Sequence, residues 1–205
     1  MDKQLYINTR RQYVELASEI VRSDKNFKKN MIKAASKFGF WINERLTLED
    51  EEQISILMDY RLFELNGNDS SLIQSYKENS KSLDEPTKSL LNAMILNYDS
   101  LFEITYTDSA NCTVQLLDLV SKKEFRLIDI ALSHTAEKGM LLYTRLIPFN
   151  QSYMTSGLLF SYYSQFKLRL LEYVSKHLNT TRSSTTLLEH MFEALNKYGK
   201  QIETI

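Results

Sequence analysis

Leu101-Phe-Glu-Ile-Thr-Tyr106 decides the fold of this 205-residue chain. Apolar and polar side chains alternate along it, so Phe102, Ile104 and Tyr106 are expected on one face of a strand. The same rhythm continues in residues 113–120 and 125–130, joined by the short polar turn Ser121-Lys-Lys123. After a loop holding Ser133-His-Thr-Ala-Glu137, Gly139 leads into a fourth run over 140–149, where Pro148 marks an edge or a bend. A fifth run over 151–161 is interrupted by Gly157, read as a bulge or a close backbone approach.

Outward from this block the period is that of a helix. Upstream, residues 3–22 carry Tyr6, Tyr13, Leu16, Ile20 and Val21 at helical spacing. Residues 25–38 place Phe27, Met31, Ala34, Ala35 and Phe38 on one stripe with the lysines facing away, and Gly39 supplies a stop. Trp41, Ile42 and Leu46 read as a short buried turn or a continued helix. Thr47-Leu-Glu-Asp50 reads as a capping box opening a helix that Gly67 ends. Asp69 or Ser70 caps a short helix, and Asp84-Glu-Pro86 opens another with proline in its first turn. The helical period returns at Tyr162; residues 179–184 form a polar linker before Thr186-x-x-Glu189 caps a last helix that Gly199 closes.

The reading is α+β: mainly helical, with a small antiparallel sheet of four to five strands, or a half-barrel, inserted between N-terminal and C-terminal helices. Residues 1–98 form the helical region, 99–161 the β module and 162–205 a helical pair, packed as one compact unit.

Charge and composition exclude several functions. Lys and Arg number 25 against 26 Asp and Glu, so no global field selects nucleic acid or an anionic membrane. The distribution is uneven: residues 1–46 hold 10 basic and 5 acidic side chains, and residues 47–110 hold 4 and 13. The basic start either packs against the acidic middle or presents a separate face. Cys112 is the single cysteine, too few for a disulfide or a Cys-rich zinc site. Five dispersed glycines build no phosphate loop. No window approaches membrane-span length and MDKQLYINTRRQY is no signal peptide, which predicts a cytoplasmic protein with no membrane partner.

Candidate chemistry is sparse. Among His134, His177 and His190, only His190 and Glu193 share a helix face at metal-ligand spacing, half of what a di-metal bundle needs. No metal and no cofactor are therefore expected. Asp118 and Asp129 interrupt apolar strands; pointing inward together they would share a proton or bind a cation, and otherwise they face solvent or pair with Arg126 or Arg145. Phe102, Tyr106, Phe125, Tyr143, Phe149 and Tyr153 with Lys122, Lys123, Arg126 and Arg145 are the set from which a nucleic-acid platform would be drawn.

From Asp59-Tyr60 through Ser71-Leu-Ile73, Ser100-Leu-Phe-Glu-Ile104, Leu116-Leu-Asp-Leu119, Arg145-Leu-Ile-Pro148 and Tyr153-Met-x-x-Gly157, the order of motifs resembles a group of uncharacterised bacterial proteins that often end in a SEC-C zinc-binding motif. The resemblance implies a structural Asp118 that fixes a hairpin with Arg145 as its partner. It carries over no zinc, because residues 199–205 hold no cysteine. Three functional readings stand: a non-enzymatic intracellular interaction or regulatory module with a protein partner or a second copy of itself, a nucleic-acid-binding protein using basic N-terminal helices or sheet aromatics, and a metal-dependent hydrolase or nuclease.

Overall fold

The computed structural model describes residues 3–64, 71–80, 82–179 and 186–199. Gly67, Asp69 and Ser70, and the linker from 180 onward, fall outside them. The chain divides into two compact units, Met1–Leu96 and Asn97–Ile205.

The first unit is helical. It comprises α1 (Lys3–Arg22), α2 (Phe27–Lys37), a two-residue hairpin of β1 (Trp41–Ile42) and β2 (Arg45–Leu46), α3 (Glu51–Phe63), α4 (Leu72–Asn79) and α5 (Glu85–Ile95). Tyr6, Tyr13, Leu16, Ile20 and Val21 form the buried stripe of α1. Ala34 and Ala35 are the buried residues of α2, small enough to let it lie close to its neighbours. Phe27, expected on that stripe, is 42% exposed.

The segment holding Trp41 is neither buried turn nor helix but a hairpin. Asn43 and Glu44 both take positive φ (49° and 61°) at its turn, the geometry that lets a two-residue loop follow the strand twist. The cap of α3 is Asp50, not Thr47: its carboxylate accepts from Gln53 N at 2.9 Å while the Gln53 side chain accepts from Glu49 N. Ser71 and Gln74 make a full capping box on α4, and Asp84 caps α5 ahead of Pro86 as expected.

Among the described residues the second unit is a barrel with three α-helices. Its strands are β3 (Tyr98–Asp108), β4 (Thr113–Asp118), β5 (Glu124–Ile128), β6 (Leu141–Phe149) and β7 (Ser152–Tyr162). The helices are α6 (Ile130–Thr135), α7 (Lys167–Asn179) and α8 (Leu187–Tyr198). The sheet goes beyond a half-barrel and closes in the order β3-β4-β5-β7-β6, with β5 and β7 as a short parallel seam at Leu127 and Tyr153. Long β3 pairs with both β4 and β6, so one strand belongs to both sides of the barrel.

Two bulges supply the curvature that glycine content does not. On β3 the register shifts between Ile104, opposite Leu116, and Tyr106, opposite Gln115. One extra residue, Thr105, reverses the alternation, so Tyr106 leaves the face of Phe102 and Ile104 and stands 59% exposed. On β7, Thr155 and Leu159 face Leu146 and Thr144, and Gly157 (φ 108°) sits in the irregular stretch between them. Phe102, Ile104, Val114, Leu116, Leu127, Leu142 and Leu146 fill the interior, and Leu132 of α6 joins the same cluster. On the outer face the Phe160 and Phe192 rings meet at 6.2 Å, and Tyr162 Oη donates to Met191 O at 2.8 Å, fixing α8 to β7.

Candidate functional site

The structure places the residues singled out in the barrel in a turn, a helix cap and strand pairings. Asp118 is fully buried on the interior face, opposite Phe102. It accepts from Ser100 Oγ (2.9 Å), Val120 N (2.7 Å), Ser121 N (3.2 Å), Ser121 Oγ (2.7 Å) and the Tyr98 hydroxyl. Burial alone would push its carboxyl up, but the donors from Tyr98, Ser121, Val120 and Ser100 outweigh it and hold the group below the ordinary aspartate value. Burial and the neighbouring carboxylate push the Tyr98 phenol up, which keeps its proton in place as the donor. Asp118 thus ties the β4–β5 turn to the start of β3. Above it the Tyr98 and Phe125 rings stack at 5.5 Å and Tyr153 meets Phe125 edge-on at 5.2 Å.

Arg145 is not its partner. Cross-strand pairing sets Arg145 opposite Asp99, on the outer face, where it donates to Asn97 Oδ1 at 2.6 Å and lies 3.5 Å from Asp99 Oδ1. Asp129 stays apart from Asp118 as well: it caps α6, accepting from Leu132 N at 2.9 Å. The segment holding His134, expected as a loop, is that helix. Lys122 turns its ammonium back onto Leu119 O at 2.7 Å, and Lys123 lies exposed in the same turn. Arg126 points outward opposite Gln115 while its neighbour Phe125 points inward opposite Leu116. Strand alternation therefore separates the basic residues from the aromatics, and the barrel assembles no interleaved platform.

Strand order, parallel seam and the helix between the third and fourth barrel strands give this unit the topology of an OB-type barrel. Topology assigns no activity, and the side chains decide. The outer face of β3–β5 offers Tyr106, Gln115 and Arg126 among Glu103, Asp108 and Glu124, with Lys167 held on Glu103 at 2.6 Å. Carboxylates outnumber free cations there, which disfavours a phosphate backbone.

The helical unit holds a different kind of site, not foreseen from the sequence. A cavity of about 750 Å³ opens between the α1–α2 turn, α2, the end of α3, and α4. Its floor carries an ion pair: Arg61 reaches Asp24 Oδ2 at 2.6 Å, with only 4% and 9% of the two side chains exposed. Asn30 Nδ2 and Asn26 N, both at 2.9 Å, complete the carboxylate's partners. Burial would raise the Asp24 carboxyl, and the bonds from Asn30, Asn26 and Arg61 bring it below the ordinary value. The basic start of the chain contributes the carboxylate and the acidic middle the arginine, the reverse of what their net charges imply.

Lys25 and Lys33 line the same cavity, with Tyr60, Ser75, Tyr76 and Asn79 opposite. A second recess of about 450 Å³ shares Lys25 and Asn26 with it and adds Lys28, Lys29 and Ile32. Among the described residues no carboxylate forms an ion pair with Lys25, Lys28, Lys29 or Lys33. Lys29 and Lys33 lie one turn apart on α2, Lys28 adjoins Lys29, and Lys25 sits in the turn that precedes the helix. The arrangement is a recessed, hydrogen-bond-rich surface with an excess of positive charge, suited to hold an anion.

A model for a family of unknown function (DUF7986) matches residues 1–205, so the chain belongs to that family. No curated protein and no solved structure matches it. Among the described residues no helix is long and apolar enough to cross a membrane, and no three His, Cys, Asp or Glu side chains converge as a metal site.

Proposed function

We propose that the protein is a non-enzymatic binding module of the cytoplasm that engages an anionic partner through the basic groove of its helical unit. The observation that carries this reading is the row Lys25, Lys28, Lys29 and Lys33 beside a cavity of about 750 Å³, with no ion-pair partner among the described residues. Three lysines in the first two turns of α2 and a fourth in the turn just before it repel one another, and an anion relieves that repulsion. The non-catalytic part of the reading is supported by how the buried carboxylates are used. Five donors hold Asp118, while Arg61, Asn30 and Asn26 hold Asp24, which leaves neither as a base. Kinship with the SEC-C-tailed group belongs to this proposal and rests on the motif order from Asp59 to Gly157.

The test is a titration with inorganic polyphosphate at rising salt. Four phosphate contacts predict a slope of log K against log[salt] of about −3. Changing Lys25, Lys28, Lys29 and Lys33 together to Gln should abolish the binding while the circular dichroism spectrum stays the same. Binding that survives the four changes, or no binding at about 50 mM salt, contradicts the proposal.

A further inference from the structure

We infer that the anion in this groove is a single-stranded nucleic acid, with phosphates on the lysine row and bases against Tyr60, Tyr76 and Phe27. The inference rests on the anion-binding reading above and narrows it. The lysines alone would accept any polyanion; the rings beside them would not be used by most. Tyr60 and Tyr76 line the cavity across from Lys25 and Lys33 and are half-buried, so each still presents part of its ring. Lys37 lies 5.5 Å from the centre of the Tyr60 ring, and the ring is braced edge-on against Phe38 at 5.3 Å. Such a ring is held in place before a ligand arrives, which lowers the ordering cost of stacking on it. Phe27 is the first residue of α2, 42% exposed and next in sequence to Lys28 and Lys29. A phenylalanine this exposed, beside Lys28 and Lys29 in the chain, is accessible to a ligand.

Unpaired bases match this combination, since every base has a face that stacks on an aromatic ring whatever its sequence. In a duplex those faces are already stacked on one another, so the rings inside the recess would go unused. One helical turn, about 6 Å, separates Lys29 from Lys33, which lets successive phosphates of an extended strand meet successive lysines. Hydroxyl and amide groups at Ser75, Asn79 and Asn26 add sequence-neutral partners. The expected ligand is therefore a short single strand bound with little sequence preference and steep salt dependence.

The experiment compares, on the full chain, a labelled short oligothymidylate, an abasic strand of the same length, the same sequence as a duplex, inorganic polyphosphate and polyglutamate. The oligothymidylate is expected to bind about tenfold or more tighter than the abasic strand, with the duplex weaker than the single strand. Tyr60→Leu with Tyr76→Leu should erase that advantage, and Phe27→Leu, at a position 42% exposed, should reduce it with an unchanged circular dichroism spectrum. Equal affinity for oligothymidylate, abasic strand and polyphosphate overturns this inference and leaves the anion-binding reading standing. Tighter binding of polyglutamate or of the duplex also overturns it. Failure of all five ligands to bind overturns both.

Discussion

At the scale of single residues, the decisive contrast is between a carboxylate that is saturated and lysines that are not. Asp118 reads in the sequence as an anomaly, an acid inside an apolar strand, and that anomaly marks a tie between β4, its turn and β3. Its importance was legible; its partners were not, because Tyr98 and Ser100 lie 20 and 18 residues away and only strand register brings them close. Asp118→Ala leaves the Ser100 hydroxyl buried without its acceptor and should cost about 3 kcal/mol; Asp118→Asn should cost less. The pH dependence follows from the direction of the shift. The folded carboxyl titrates below the ordinary value of 3.8, so its stabilisation is complete above that value and is lost as pH falls through the lower, folded value. The stability gap between wild type and Asp118→Asn should therefore hold at neutral pH and shrink below about pH 4 in acid denaturation. A gap of constant size down to pH 2 would show that Asp118 is not held as a charged group.

Among elements, the change of rhythm near Ser100 and its return near Tyr162 placed the β block, and β6 and β7 begin and end within a residue or so of expectation. The departures share a cause: each depends on geometry that leaves no periodic trace. The extra residue at Thr105 turns Tyr106 outward with nothing in the composition to announce it. Helix α6 is only six residues long, too short for a hydrophobic stripe, and Asp129 serves as its cap rather than as part of an acidic pair. Gly157 did carry a signal, since a lone glycine in a strand marks a bulge. With φ at 108° it occupies backbone space that a side chain strains, so Gly157→Ala should lower stability by about 1–3 kcal/mol in urea melts. An unchanged midpoint would mean that the β6–β7 register accommodates a Cβ there.

For the whole molecule, two units in one chain use charge differently. In the barrel unit Asp99, Asp118 and Glu103 are each engaged by partners that hold the strands and the β4–β5 turn. In the helical unit the Asp24–Arg61 pair lies beneath a surface of unpaired lysines. Composition showed that residues 1–46 are basic but not where the charge would gather, because the groove is assembled from the α1–α2 turn, α2, the end of α3, and α4. Tertiary structure alone brings those segments together. Amide chemical-shift mapping on the isotope-labelled full chain, with oligothymidylate added stepwise, tests this most directly. Shifts confined to residues 24–37, 60–61 and 72–80 are expected; shifts concentrated on the strands of the barrel, with the four lysines unmoved, would rule out binding in the helical groove.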